Sequence, residues 1–320
     1  MRHVGSLFTL LCLAVFASAK TYRVDPSGNW FDLLHGGGLR PGDEVVLEAG
    51  TYSNGRKLEL SHVGAKGNPI VIRAAENARV VFQRPDARQN TLNLAGTQHL
   101  IVKGLEITGG STGIRIYKLG DRMAKFVTLD SLHIHHVGGP AITCNHQGNL
   151  YEGMIFRRNR IHHTGGHGEA FYLGANSGPN GKTQAQFFRG IIEGNHLHDL
   201  TGPKVSQGDG IELKDGSWGN LVRHNVIHDV KYPGIIVYDA DGKEPNVIEG
   251  NLIFNGSDNG IQATADAIIR NNLIFNCKGS GIYSRDHQSA VVGNLKIVHN
   301  TVLNEGKTAL RIVAPAKGKY

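Results

Sequence analysis

The sequence predicts an all-β chain wound as a right-handed parallel β-helix, one solenoid domain over residues 20–320 behind a signal peptide at 1–19. Three observations predict it. A short asparagine-led phrase recurs along the chain. A second, alternating phrase follows each copy. And the 320 residues contain 43 glycines, about twice the ~7% of an average chain, without the charge or low hydrophobicity of a disordered one.

The first element is the leader. Arg2 gives it a basic start, Leu7 to Phe16 is apolar, and Ala17-Ser18-Ala19 is a small-residue cleavage site. Cys12 follows Leu11 rather than a small residue, so no lipoprotein anchor is expected there. The expectation is export, secreted or periplasmic. Two cysteines then remain, Cys144 and Cys277. The repeat places them several coils apart, and at ~4.8 Å per coil that exceeds the ~7 Å Cα reach of a disulfide. Both are expected as free, mostly buried thiols.

The repeat is the next element. It reads NRIHH from Asn159, NHLHD from Asn195, NVIHD from Asn225, NLIFN from Asn251, NLIFN from Asn272 and NTVLN from Asn300, with a weaker LHIHH from Leu132. The asparagines are 36, 30, 26, 21 and 28 residues apart. The second phrase is Gly or Ala followed by alternating residues. It runs GIRIY from Gly113, AITCN from Ala141, AFYLG from Ala170, GIELK from Gly210, GIIVY from Gly234, GIQAT from Gly260, GIYSR from Gly281 and ALRIV from Ala309. Period-2 segments at this spacing, with no helical period between them, describe stacked strands. A β-propeller needs ~40–45 residues per blade, more than these spacings provide. Stacked Asn side chains can bond one another along the column. Asn and Gly are also the residues that tolerate left-handed corners.

Composition narrows the partners. Only 19% of residues are charged, and the net charge is +7. A mild positive balance suits a polyanion. No dense basic run points to nucleic acid, and no apolar run is long enough to span a membrane. A monomer is expected. The last strand phrase is followed by only APAKGKY. A solenoid end needs a cover, so the chain reads either as a fragment or as an end covered by a partner.

In the second phrase residues two and four face the core and residues three and five face outward. One outward column is then Arg115, Thr143, Tyr172, Glu212, Ile236, Gln262, Tyr283, Arg311. The next is Tyr117, Asn145, Gly174, Lys214, Tyr238, Thr264, Arg285, Val313. This charged and aromatic face is the candidate sugar platform, with Glu212, Tyr172, Asn145, Arg115 and Arg285 as candidate substrate-binding residues. The segment GDGIELK holds Asp209, Glu212 and Lys214, and Glu169 falls one coil earlier in the register of Asp209. Two carboxylates ~5 Å apart repel unless a cation sits between them, and oxygen ligands suit calcium.

The histidines divide. His135, His162, His198 and His228 share one repeat position, continued by Phe254, Phe275 and Leu303. Because Phe replaces His so readily, the expectation is a stacked ladder at a corner rather than a metal column. His146 and His167 lie beside the platform and are candidates for acid, base or subsite roles. Two insertions, ANSGPNGKTQAQ after Gly174 and TGPKVS before Gln207, are expected to wall the groove beside Lys214.

The stretch from Leu39 to Phe82, with its PGD, AGTY and NPIVIRA segments, resembles the opening coils of parallel β-helix polysaccharide lyases of the alginate lyase and chondroitinase B family. In those lyases a calcium-binding Glu stands five residues before a catalytic Lys, the spacing of Asp209 to Lys214. A pectate lyase family's D-G-x-x-x-K phrase is similar to Asp209, Gly210 and Lys214. The resemblance implies Lys214 as base and Asp209 with Glu169 as calcium ligands. Gln207 replaces a further acidic ligand. The family's Arg on the following coil is replaced by VYDAD, with Tyr238 and Asp239; Tyr238 is then the candidate proton donor.

The implied reaction is β-elimination on an acidic, uronate-containing glycan. Two alternatives stand beside it. One is a glycoside hydrolase pairing Asp209 with Asp239 or Glu212. The other is a non-catalytic carbohydrate-binding β-helix.

Overall fold

The computed structural model describes residues 18–176, 185–305 and 307–314. Strands take up nearly all the regular structure and every named pairing is parallel. Each coil contributes one strand to each of three long sheets. In chain order, the first sheet has eleven strands, from Thr21–Val24 to Gly293–Val298. The second has ten, from Gly50–Tyr52 to Thr301–Leu303, and the third ten, from Glu59–Leu60 to Leu310–Ile312. Leu150–Glu152 and Gln186–Phe188 form a small side sheet.

The alternating pattern explains the core. In the third sheet Ile114, Ile142, Phe171, Ile211, Ile235, Ile261 and Ile282 point inward and are at most 2% exposed. At ~25 cal/mol per Å² of apolar area, this continuous column is the main stabilising term. The predicted outward column is reproduced pair by pair, from Arg115 opposite Thr143 through Tyr172 opposite Glu212 to Tyr283 opposite Arg311. The one helix among the described residues, Trp30–Leu34, was not foreseen. It lies at the amino-terminal end, where Trp30 packs edge-on against Tyr52 and Phe82.

The asparagine ladder forms as expected. Side-chain Nδ2–Oδ1 bonds of 2.9 Å link Asn159 to Asn195, then Asn225, Asn251, Asn272 and Asn300. One expectation is corrected. These asparagines do not occupy left-handed corners; the residue before each of them does, whether Arg158, Gly194, His224, Gly250, Asn271 or His299. The glycines that lead the strand phrases have a different role again. A Cβ on Gly210 would meet the Gly234 carbonyl oxygen at 2.4 Å, so adjacent coils approach too closely there for a side chain.

Cys144 and Cys277 are free and buried. The histidine ladder also forms. His135, His162, His198 and His228 stack at ring separations of 4.8–5.3 Å and continue onto Phe254 and Phe275. They stand on the outward face of the second sheet, at the residue before its turn.

The signal peptide lies outside the described residues apart from its last two positions. No described helix is long and apolar enough to cross a membrane. The insertion after Gly174 lies outside them beyond Ala175 and Asn176, up to Ala185. The other insertion does not wall the Lys214 groove. Thr201 to Lys204 instead border a groove with His136 and His163.

Candidate active site

The third sheet builds the site because its strands are so short. Each three-residue strand offers one outward side chain, and the chain then turns, so residues just before and after the strand crowd onto the same face. Glu169 and Asp209 precede their strands and are in register, since Ala141 N donates to Glu169 O and Ala170 N to Asp209 O. Glu212 is the outward residue of Ile211–Leu213, and Lys214 follows it.

Three carboxylates converge here. Glu169, Asp209 and Glu212 each bring an oxygen within 4.8 Å of the other two, and all are at most 2% exposed. Both Glu169 oxygens, Asp209 Oδ1 and Glu212 Oε2 have no hydrogen-bond partner. A buried carboxylate oxygen without a donor costs several kcal/mol unless the group is protonated or a cation is present. Burial, reinforced by Glu212, raises the Glu169 carboxyl to about 7. Burial and the charges of Glu212 and Glu169 drive Asp209 well above the carboxylate range.

Lys214 lies beside this cluster, 4% exposed. Its Nζ pairs with Glu212 Oε1, donates to Tyr238 Oη at 3.0 Å, and lies 4.7 and 4.8 Å from the ring centres of Tyr172 and Tyr238. Burial works to lower its pKa, but Glu212 and the two tyrosines outweigh it and the net shift is upward. Tyr238 Oη donates to Glu212 Oε1 at 3.1 Å. Burial and Glu212 hold its phenol above the usual tyrosine value.

These groups open into a groove of about 600 Å³. Asn145, His167, Tyr172, Asp209, Glu212, Lys214, Tyr238 and Arg285 all border it. Arg115 does not; it stands exposed two coils before Tyr172 in the same column. His167 borders the groove as an exposed side chain.

The sequence reading missed two features. Glu212 was assigned to substrate, yet it is the third member of the carboxylate cluster. His287 was not singled out at all, although its Nε2 lies 3.2 Å from Tyr238 Oη. The segment carrying it folds back across the coils. Ser289 Oγ donates to Asp215 Oδ2 at 2.9 Å, and Ala290 packs on Ile236 and Tyr238. Alternation alone carries no signal for such a return.

The profile of the right-handed β-helix region matches residues 90–240 and 152–317. The chain belongs to the right-handed β-helix family. A chondroitinase B profile matches residues 37–128, which contain the segment whose resemblance was noted above. A search of curated proteins finds no match.

Solved structures similar to this β-helix protein include several polysaccharide lyases and XylC, in complex with xylose, at a TM-score of 0.57 and 12% identity, over 77% of this chain and 63% of that one. An alginate lyase from Paenibacillus sp. str. FPU-7 has a TM-score of 0.61 at 19% identity, over 88% of this chain and 99% of the lyase. The pectate lyase Pel9A has a TM-score of 0.65 at 15% identity, over 89% and 80%. A mannuronic acid specific polysaccharide family 6 lyase from human gut microbiota has 0.53 at 16%, over 92% and 83%. At such identities the likeness is one of fold.

Proposed function

We propose that this β-helix protein is a secreted polysaccharide lyase that cleaves an acidic, uronate-containing glycan by β-elimination, with calcium at the carboxylate cluster. The observation that carries the reading is the cluster itself. Three buried carboxylates with unpartnered oxygens lie directly beside a lysine–tyrosine pair in an open groove.

Glu169, Asp209 and Glu212 fit calcium. The donors are all hard oxygens, several lack any other partner, and three carboxyl groups share the single positive charge of Lys214. A calcium ion held there would supply the fixed positive charge that a uronate carboxylate needs when the proton beside it is removed. The chain's own groups account for the rest. With Glu212 committed to a cation, the pull that keeps Lys214 protonated weakens and burial favours the neutral amine. Lys214 then takes the proton α to the sugar carboxylate. The electron pair forms the new C=C bond as the glycosidic C–O bond breaks, and Tyr238 gives its proton to the leaving oxygen. Tyr172 walls one side of the lysine. Arg285, exposed at the groove edge, is placed to pair with another carboxylate of the polymer.

A hydrolase fits less well. Inverting enzymes hold their carboxyls ~6.5–9.5 Å apart, whereas Asp209 and Glu212 are within 4.8 Å, and Glu212 is already engaged by Lys214 and Tyr238, which leaves it a poor nucleophile for a retaining one. Asp239 accepts from Gly216 N at 2.8 Å and does not border the groove. The discriminating experiment is incubation with a panel of polyuronates, following the unsaturated product by ultraviolet absorbance. Product from the wild type and none from Lys214→Ala is expected. Product formation that survives Lys214→Ala removes the lysine from the role of base.

A further inference from the structure

The outward face of the second sheet carries imidazoles that the proposed reaction does not use. Register places Glu106, His133, Arg160 and His196 in one column, and Thr108, His135, His162, His198 and His228 in the next. Towards the carboxyl end these rings are engaged. His198 and His228 hold Asp199 and Asp229 through Nδ1 at 2.7 and 2.6 Å, and His196 bonds His228. The amino-terminal end differs. Glu106, His133 and His135 each bring one ligand atom within 4.8 Å of the other two. His135 Nε2 is 3.1 Å from Glu106 Oε1, and His133 Nε2 is 2.8 Å from His162 Nε2.

We propose that Glu106, His133 and His135 form a site for a divalent transition metal of the zinc class, spanning two adjacent coils. Two imidazoles and one carboxylate, with the fourth position left to water, are a borderline donor set that suits zinc in four-coordinate geometry and does not suit calcium. His135 Nδ1 is already held, since it meets His136 Nδ1 at 2.8 Å, which turns its Nε2 toward Glu106. Arg79 holds both Glu106 oxygens at 2.8 Å from the solvent side. It is 77% exposed and free to release one of them.

The test is calorimetric titration of zinc chloride into the chelator-stripped, untagged full chain, with cobalt chloride as a visible-absorbance probe of coordination. The expected result is one tight equivalent of zinc, retained in Asp209→Asn and lost in the double variant His133→Asn/His135→Asn. Glu106→Gln, which preserves side-chain shape, is expected to weaken binding at least tenfold and keeps the test valid should the double variant misfold. Cobalt is expected to give the intense bands of a four-coordinate site. No zinc binding by the wild type, or zinc binding that survives the histidine variants and is lost in Asp209→Asn, overturns the proposal.

Discussion

At the scale of single residues, Lys214 is governed by competition between burial and Glu212. A general base contributes roughly 10²–10⁴-fold, so Lys214→Ala is expected to lower the rate of unsaturated-product formation by that factor with the fold retained by circular dichroism. His287 is expected to act through Tyr238. Losing its hydrogen bond is worth about 1 kcal/mol, or roughly fivefold. In His287→Ala, kcat is expected to fall by that amount with KM unchanged and a displaced pH–rate profile, and His287→Gln is expected to restore most of it. A change in KM alone would place His287 in substrate binding instead. Lys214 was legible as an outward residue because strand alternation places it there, and its pairing with Asp209 was legible through the resemblance to the lyase motifs. The convergence of Glu212 with Glu169 and Asp209 was not, because it depends on side chains meeting across the turn before the strand.

At the scale of elements, the asparagine ladder shows how a repeat specifies register. Asn225 Oδ1 accepts from both the backbone and the side chain of Asn195, and its Nδ2 donates to Asn251 Oδ1 and to Ile192 O. Asn225→Ala leaves several buried polar groups unpaired at ~1–3 kcal/mol each. A loss of at least about 3 kcal/mol is expected in denaturant unfolding; a loss under 1 kcal/mol would show that water substitutes. The ladder and the outward columns were readable because every copy of a phrase performs the same task. The left-handed corners were not assigned correctly, because the conserved-looking Asn drew attention from its neighbour. Arg158, His224 and His299 hold left-handed dihedrals that no residue preference announces.

At the scale of the whole molecule, the solenoid buries one acidic cluster, and stability depends on what neutralises it. The Glu169 carboxyl is raised from its ordinary 4.5 to about 7 in the folded state. The folded chain therefore binds more protons than the unfolded chain across this window. In chelator, the contribution of Glu169 is present below pH 4.5 and is lost as pH rises through about 7, a change of about 3 kcal/mol. Calcium is expected to reverse this, raising Tm more at pH 8 than at pH 5; an equal rise at both would separate calcium from the cluster. The coil architecture was legible throughout, but the return of residues 285–290 across the groove was not. The return is held by Ser289 on Asp215 and by Ala290 on Ile236 and Tyr238, contacts that no repeat position encodes. The central claim is tested most directly by the ultraviolet absorbance of calcium-loaded protein incubated with polyuronates. The account predicts an unsaturated product that vanishes with chelator and in Lys214→Ala. New reducing ends without that absorbance would contradict it.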